Sequence, residues 1–374
     1  ILILIFAVIA ESILQVIELM EPTCMFTKSE IFSDYSISEK NQMCDEYSSL
    51  ELDYLQPFAI TKPNQVGKFV NINSDGFRGN EIRDDDKYMV IFLGGSTAFG
   101  TVTSSDETTI PALIEKKLNE ENLNIQIINA GIPSATSIDE LYLLENYLLK
   151  YNPDLVIMYD GWNDIVERKK VKFNIQYEEY KKNTYIENYA DFLNSDIENT
   201  SQNNSGTGIL KFFIHIDYKT GIGLASFIRD NLISNSDNLK NEIKSSQNIL
   251  DLTLIENRLK NNWQKVCNLG EQNLFKTVNI IQPGLGTSSR DISNEEKIWM
   301  SETTQIDELN YLKKIDVRKL ENNNCKNIID LRNTFDNVDN KTIFFDSIHT
   351  SDYGNGIVSE KIINIIIPII QNNT

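Results

Sequence analysis

Two segments at opposite ends of the sequence carry side chains that could act in nucleophilic catalysis. FLGGSTAFG places Ser96 after two glycines, which permit a tight turn that lifts the serine out of a sheet. FFDSIHTSDYGN places Asp346 three residues before His349. An aspartate at this spacing can orient the imidazole and stabilise its cationic form, and an imidazole can activate a serine hydroxyl. Ser96 is therefore a candidate nucleophile, and Asp346 with His349 a candidate acid–base pair.

Two further segments carry hydrogen-bond donors. In NAGIPSATS the backbone N–H of Gly131 can point into a crevice at the end of a strand, and in YDGWND the side-chain amide of Asn163 can donate a hydrogen bond. Each segment alone also fits a structural role: a glycine-rich turn at Ser96, a helix-initiating loop at Gly131, a loop asparagine at Asn163, and an exposed pair at Asp346 and His349. The four segments together indicate a catalytic site far more specifically than any one of them does alone.

An alternation of strands and helices must position these segments. Continuous apolar runs such as YMVIFL are typical of strands that are buried on both faces of a parallel sheet. We predict strands over 88–93, 124–129, 155–159, 277–282 and 327–330, and helices over 108–119, 137–150, 252–269, part of 297–320, and 354–370. Because open parallel sheets place their active sites at the carboxyl ends of the strands, the candidate residues should meet there.

Ser, Gly, Asn and Asp-x-x-His in this order resemble the sequence blocks of the SGNH (GDSL-like) hydrolase family. FLGGSTAFG is similar to the first block in its GGS form, NAGIPS to the second, GWND to the third and DSIHTSDYGN to the fifth. IIQPG fits the fourth strand of the family, and NINSDGFRG (71–79) resembles the lead-in of membrane-attached members. The resemblance covers residues 88–370, apart from an insertion.

The resemblance implies a fold and a set of roles. The fold would be a three-layer αβα arrangement around a flavodoxin-like parallel sheet of about five strands. Ser96 would be the nucleophile, His349 the general base and Asp346 the residue that orients it. The N–H groups of Ser96 and Gly131 and the side-chain amide of Asn163 would form the oxyanion hole. The implied activity is the hydrolysis of carboxylic esters, with O-acetyl groups of surface glycans or lipid esters as candidate substrates.

The sequence departs from the family pattern in three places. GGS lacks the aspartate before the serine of the name-giving motif, and Ser134 stands in the second block where glycine is common. The polar segment 167–250, rich in Asn, Ser, Lys and Glu, has no family motif, and we interpret it as a helical or irregular insertion. A lid or a partner surface formed by this insertion would determine which substrates are accepted.

Other functions are compatible with these residues. An O-acetyltransferase would use the same triad and differ only in accepting a sugar hydroxyl instead of water. A non-catalytic subunit of a membrane or cell-surface assembly could keep the fold, although such a protein has more often lost its serine or histidine. A nucleotide-binding protein is suggested by GGST alone, and the GK[ST] of a Walker loop does not follow.

Composition excludes several classes of protein. Lys and Arg total 35 against 54 Asp and Glu, so the formal charge is −19. This charge argues against nucleic-acid binding, which depends on clustered Lys and Arg. A hydrophobic fraction of 41% supports a folded core. The only other histidine, His215, lies among aromatic and β-branched residues, and we interpret it as structural.

The cysteines indicate no metal or redox site. Cys24, Cys44, Cys267 and Cys325 form no CxxC pair, so a zinc ribbon or thioredoxin-like motif has no support, and we expect neither a metal nor a cofactor. The most local pairing would join Cys24 to Cys44 and Cys267 to Cys325, and four unpaired thiols are equally compatible with the sequence.

The N-terminal residues predict membrane attachment. ILILIFAVIA (1–10) is entirely apolar, and apolar residues continue at helical spacing to residue 20, which predicts the end of a truncated membrane anchor over 1–20. A helix buried against membrane-protein partners is the main alternative, and a cleaved signal peptide fits less well. Few Lys or Arg follow, which favours the extracytoplasmic side.

Four sequons, at Asn199, Asn203, Asn340 and Asn372, modestly favour the same location and would permit glycosylation. A lead-in over 21–87 and a hydrolase domain over 88–374 would complete the chain.

Overall fold

The computed structural model of the chain describes residues 25–53, 60–83, 87–170, 252–321, 325–338 and 341–371. The chain divides into two units, one formed by 1–28 and 179–250 and the other by 29–178 and 251–374. The predicted apolar helix over 1–20, residues 171–250 of the predicted insertion, His215 and the four sequons lie outside the described residues. Within the described ranges, no helix combines the length and the apolar character needed to cross a membrane.

The elements of the described residues are numbered in chain order. The strands are β1 (Leu52–Asp53), β2 (Ile60–Thr61), β3 (Gln65–Val66), β4 (Asn71–Ile72), β5 (Tyr88–Gly94), β6 (Ile125–Gly131), β7 (Leu155–Asp160), β8 (Lys276–Ile281) and β9 (Ile328–Asp330). The helices are α1 (Ile37–Ser48), α2 (Ser96–Phe99), α3 (Ile110–Glu120), α4 (Ser137–Asn146), α5 (Trp162–Lys170), α6 (Leu252–Asn273), α7 (Asn294–Glu302), α8 (Ile306–Lys314) and α9 (Asp352–Gln371). Short 3₁₀ turns cover Met25–Thr27, Glu30–Phe32, Asp106–Thr108, Leu148–Tyr151 and Val317–Lys319.

A five-stranded parallel sheet with strand order β6-β5-β7-β8-β9 forms the core of the larger unit. Strands β6 and β7 are buried along their whole length, as their continuous apolar runs predict. The chain reverses its direction across the sheet between β5 and β7, and this is the crevice where such sheets bind ligands. The register places Gly94, Gly131 and Tyr159 side by side at the carboxyl ends of three neighbouring strands. The α/β class and the five-stranded parallel sheet expected from the sequence are confirmed.

Helices pack on the sheet, and residues in their own sequences determine where they begin and end. Thr109 caps α3 by accepting the N–H of Ala112, with Pro111 in the first turn, where its missing N–H costs nothing. α3 packs against α9, and α4 packs against α6. The prediction of one helix over 137–150 is wrong at its end, because α4 stops at Asn146 and a 3₁₀ turn follows. α9 continues past Pro368 to Gln371, although Pro368 has no N–H to donate to the carbonyl four residues earlier.

The described part of the lead-in, residues 29–53 and 60–83, is folded, although the sequence patterns assigned no elements to it. It contains α1 and two hairpins, β1–β2 and β3–β4, whose strands are two residues long. α1 begins with a capping box between Ser36 and Glu39. The Glu46 carboxylate on α1 accepts the backbone N–H groups of Lys68, Phe69 and Val70 at 2.7–3.2 Å. Such short strands are held by contacts of this kind and leave no periodic pattern in the sequence.

A disulfide joins Cys267 of α6 to Cys325, which lies shortly before β9, with a Cα–Cα distance of 5.5 Å. One of the two pairings considered from the sequence is therefore present. The other, between Cys24 and Cys44, involves a residue outside the described ranges. Closing a long loop in this way stabilises the fold mainly by restricting the unfolded chain.

Three carboxyl groups are buried behind the carboxyl end of β7. Asp160 Oδ2 accepts the indole N–H of Trp263 at 2.7 Å, and Asp164 accepts the backbone N–H and the hydroxyl of Ser137 at 3.1 and 2.7 Å. Burial and the neighbouring charge of Asp164 raise the pKa of Asp160 to about 7. Glu140 is 1% exposed, and its carboxyl group interacts with that of Asp160. Burial and the charge of Asp160 raise the pKa of Glu140 well above its ordinary value.

Replacing Glu140 with glutamine should change how stability depends on pH. An unfolded glutamate ionises near pH ~4.3, whereas the folded chain keeps the proton of Glu140 to higher pH. Wild type therefore loses stability as pH rises through this interval, at up to ~1.4 kcal/mol per pH unit for one proton. Glutamine has no proton to lose. We expect E140Q to gain stability relative to wild type between pH 5 and pH 8, measured by urea unfolding.

The exposed Glu302 provides the matched control. E302Q should keep a nearly constant difference from wild type over the same pH range. A constant difference for E140Q as well would contradict the raised pKa of Glu140.

Candidate active site

Ser96 lies in a tight turn between β5 and α2. It is the first residue of α2, so no carbonyl of the preceding turn accepts its backbone N–H within the helix. The carbonyl oxygen of Ser96 accepts the N–H groups of Gly100 and Thr101 at 3.0 and 2.9 Å, so the end of α2 is hydrogen-bonded to the serine. The serine is partly exposed in a buried stretch, and both its hydroxyl and its N–H are therefore available for chemistry.

His349 lies beside Ser96, on the loop that precedes α9. Its Nε2 is 2.7 Å from Ser96 Oγ, and its Nδ1 is 2.6 Å from Asp346 Oδ2. With the carboxylate on the Nδ1 side, the proton is assigned to Nδ1, and Nε2 is left to accept the serine proton. A hydroxyl, an imidazole and a carboxylate in series can activate a serine for nucleophilic attack. The sequence-predicted residues Ser96, His349 and Asp346 are thus brought together.

Asp346 is held in its ionised form. Its Oδ1 accepts the backbone N–H groups of Ile348 and His349, each at 2.9 Å. Burial opposes ionisation, but the charge and hydrogen bond of His349 together with these two N–H groups outweigh it and hold the pKa of Asp346 below its ordinary value. The carboxylate is therefore charged at neutral pH and can stabilise a protonated His349.

Glu296 supports the loop that carries the acid–base pair. Its carboxylate, fully buried, accepts the N–H groups of Ile343 and Phe344 at 3.0 and 2.9 Å and forms an ion pair with Arg290. The Ser347 hydroxyl of this loop donates to the side chain of Gln305, which directly precedes α8, at 2.5 Å. The sequence contains a signal for Glu296, since it ends the S-x-x-E capping box of α7, but a capping box predicts only a helix start. Its contact with the histidine loop depends on the tertiary fold.

Asn163, near the start of α5, packs against the turn that carries Ser96. Its Nδ2 donates to Ala135 O at 2.7 Å, which leaves the second N–H of the amide available. A Cβ atom at Gly95 would lie 2.1 Å from this Nδ2. Glycine at position 95 is therefore required for the amide to approach the serine turn so closely, which explains the second glycine of GGS.

Gly131 is the last residue of β6 and packs against α2. A Cβ at Gly131 would lie 2.2 Å from Phe99 N, which shows that the glycine is required for this packing. The backbone N–H of Gly131 donates to Asn129 Oδ1 at 3.1 Å. The N–H that we expected to serve as an oxyanion donor is thus hydrogen-bonded within the strand end in this structure.

Sequence reasoning missed the contacts that align Asn163 with the loop after β6. Asp164 follows Asn163 directly and binds Ser137, which is the first residue of α4. The Asn262 amide of α6 also donates to the Ser137 hydroxyl, at 2.9 Å. The GWND segment thus supplies both a donor near Ser96 and a buried anchor for the facing loop. No sequence signal connected Asp164 to Ser137, because they lie 27 residues apart on different elements.

Among the residues that the structure describes, no three or more His, Cys, Asp or Glu side chains are grouped so that they could hold a metal ion.

Comparisons with known proteins give similarity at the level of solved structures. No family model matches the chain, and no curated protein matches it. An acetyl xylan esterase, AlAXEase, aligns over 75% of this chain and 100% of its own at 18% identity and a TM-score of 0.41. The lipase/acylhydrolase from Enterococcus faecalis aligns over 74% of this chain and 94% of its own, at 15% identity and a TM-score of 0.36. A catalytic mutant of Axe2, an acetylxylan esterase from Geobacillus stearothermophilus, aligns over 75% and 94%, at 13% identity and a TM-score of 0.37.

Proposed function

We propose that this protein is a serine ester hydrolase of the SGNH (GDSL-like) type. The observation that carries the proposal is the continuous chain of short contacts from Ser96 Oγ to His349 Nε2 and from His349 Nδ1 to Asp346 Oδ2, at 2.7 and 2.6 Å. Such a series has a specific chemical use, because a serine hydroxyl is a poor nucleophile until a base removes its proton.

The reaction follows from the positions of these groups. Ser96 Oγ attacks the carbonyl carbon of the ester while His349 Nε2 takes the hydroxyl proton, and the tetrahedral intermediate collapses as His349 returns that proton to the leaving alcohol. A water molecule, activated in the same way, then releases the acid from the acyl-serine. The negative charge of Asp346 stabilises His349 while it is protonated, and the contact at Nδ1 holds the ring in the correct orientation.

The oxyanion of the intermediate requires donors that are fixed in advance. The available groups are the backbone N–H of Ser96 and the free N–H of the Asn163 amide, which reaches the serine turn across Gly95. Gly131 is left out of this set because its N–H donates to Asn129. Donors of this type act in the transition state and are each worth roughly 10²–10³ in rate.

The substrate is proposed at the level of class. Carboxylic esters fit the triad, and O-acetyl groups of surface glycans or lipid esters are the candidates that the family resemblance suggests. An O-acetyltransferase with the same triad would transfer the acyl group to a sugar hydroxyl. Product analysis with and without added glycan separates these two, because only the transferase forms an acylated acceptor.

An extracytoplasmic location is part of the proposal. The disulfide between Cys267 and Cys325 supports it, since disulfides persist in oxidising compartments. Membrane attachment through residues 1–20 rests on the apolar run alone.

Removing the nucleophile or the base should abolish ester hydrolysis. S96A and H349A should each lower kcat on p-nitrophenyl acetate by at least ~10³-fold, because each removes a group without which the others cannot act. H215A, the other histidine variant, should stay close to wild type. Wild-type protein should also be labelled by a fluorophosphonate probe, and S96A should not.

Wild-type activity no greater than that of S96A, together with absent labelling, would refute the hydrolase. An equal loss in H215A and H349A would show that the base has been assigned to the wrong histidine.

Replacing Asn163 should affect the transition state rather than substrate binding. N163A removes one oxyanion donor, so kcat should fall by roughly 10²–10³ while KM changes little. Steady-state kinetics on the same ester measure both values. N146A is the control, because Asn146 is an exposed asparagine that donates only to a carbonyl of its own helix. A loss in N163A that appears entirely in KM would contradict the oxyanion role.

Replacing Asp346 with asparagine tests the charge of the carboxylate. D346N keeps the shape but removes the charge that stabilises protonated His349, and we expect kcat to fall by ~10³–10⁴-fold at pH 7. Because the pKa of Asp346 is lowered in the folded chain, its contribution to stability is present above its unfolded pKa of ~3.9 and is lost as pH falls below that value.

The stability difference between wild type and D346N should therefore shrink on acidification below pH 4, measured by urea unfolding. D34N, at an exposed aspartate, is the matched control. A D346N enzyme with more than a tenth of wild-type kcat would contradict the assigned role.

A further inference from the structure

Arg78 is a buried cation that the mechanism above does not use. It lies in NINSDGFRG, just after β4, and its side chain is 0% exposed. A buried arginine is costly unless its charge is compensated and its N–H groups are used. Here the partners of the guanidinium come from both the lead-in and the serine turn.

One side of the guanidinium binds the end of α2. Arg78 Nη1 donates to Gly100 O at 2.6 Å and to Phe99 O at 3.3 Å. α2 is only four residues long, and the N–H of Gly100 donates back to Ser96 O. The peptide units that Arg78 holds are therefore one helical turn from the nucleophile and are hydrogen-bonded to it.

The other side of the guanidinium is fixed by groups outside this turn. Arg78 Nε donates to Asp106 Oδ1 at 2.7 Å, and Nη2 donates to Phe69 O at 2.9 Å. Asp106 in turn accepts the backbone N–H of Asn71 at 3.1 Å and its side-chain amide at 2.8 Å. The fork geometry of arginine matches this set of acceptors, and a lysine ammonium could not bind all of them at once.

Tyr47 of α1 completes the support. Its hydroxyl lies 3.0 Å from Gly100 O and 3.0 Å from Thr103 O, and Arg78 Nη1 donates to it at 3.1 Å. The guanidinium also lies over two aromatic rings, 5.5 Å from the Tyr47 centroid and 5.2 Å from the Phe99 centroid. Two separate elements of the lead-in thus converge on the carbonyl of Gly100.

We propose that Arg78 is a positioning residue for the nucleophile. By binding the carbonyl groups of Gly100 and Phe99 it fixes the C-terminal end of α2, and this determines the positions of Ser96 Oγ and the Ser96 N–H. The inference rests on the proposed function, since it requires Ser96 to be the nucleophile. It assigns the described part of the lead-in, residues 29–53 and 60–83, to the framework of the active site. The NINSDGFRG segment is then needed for catalysis although none of its side chains touches the substrate.

The experiment compares R78K with wild type at a temperature well below both melting temperatures. R78K keeps the positive charge but loses the fork, so the turn should shift slightly. A displacement of about 1 Å can cost up to ~10²-fold in rate. We expect kcat on p-nitrophenyl acetate to fall ~10- to 100-fold with KM within ~3-fold of wild type, and the rate of fluorophosphonate labelling to fall by the same factor. R318K, at an exposed arginine, should match wild type in all three.

A second variant keeps the test decisive if R78K does not fold. Y47F removes the hydroxyl at Gly100 O and keeps the ring, and it should lower kcat and labelling ~3- to 10-fold in a folded protein. A folded R78K with a lower melting temperature but unchanged kcat and labelling would reduce Arg78 to a structural residue and overturn the proposal. If R78K does not fold, an unchanged kcat and labelling rate in Y47F would also overturn the proposal. Absence of activity and labelling in wild type itself would instead refute the proposed function.

Discussion

The hydrogen bond between Ser96 and His349 joins two segments that are 253 residues apart in the chain. A separation of this size means that no local preference can hold the contact, and the surrounding structure has to do so. The Ser104 hydroxyl and N–H bind the Asp352 carboxylate directly beside the histidine loop. The Asn355 amide donates to Thr108 O at 3.0 Å. These contacts fasten the start of α9, which follows His349, to the segment that follows Ser96.

Buried charges fix each half of this contact. Arg78 with Asp106 holds the serine turn, and Arg290 with Glu296 holds the loop before Asp346. Removing charges from water is expensive, so such pairs add little net stability compared with apolar packing. Their value lies in geometry, because a buried charge that has lost its partner is strongly destabilising and alternative backbone positions are therefore excluded. Both pairs bind main-chain groups of the segments that carry Ser96 and His349, and in the proposed hydrolase a small displacement of these segments would have a large effect on the rate.

A third group of buried carboxyl groups lies next to Asn163. Asp164 connects the start of α4 to the segment that carries Asn163, and burial raises the pKa values of Glu140, Asp160 and Asp164. The local field favours the protonated form of Glu140, so the cluster carries less negative charge than its three carboxyl groups suggest. In the proposed mechanism the neighbouring site stabilises a developing oxyanion. A fully ionised cluster at this position would oppose that negative charge, and burial of the carboxyl groups disfavours full ionisation.

The fold class, and the residues Ser96, His349 and Asp346 that the structure brings into contact, could be predicted from the sequence, because both depend on patterns along the chain. Continuous apolar runs mark strands buried on both faces, and Ser96, Asn163 and His349 follow their strands in a recognisable order. The role of Gly131 could not be predicted in this way. The sequence shows a glycine after a strand, but only the packing of β6 against α2 decides that its N–H is used by Asn129.

The lead-in gives the clearest contrast between sequence and structure. Its two-residue strands and the single arginine of NINSDGFRG carry no periodic signal, and the sequence by itself gives no reason to connect Arg78 with Ser96. The sequence determined which groups are available: a serine in a glycine turn, a histidine with an aspartate, and an asparagine after a strand. The tertiary structure decided which of their donors remain free and what holds them in place. Hydrogen bonds and buried ion pairs form between residues that are close in space. Their separation along the chain does not indicate which residues will be close.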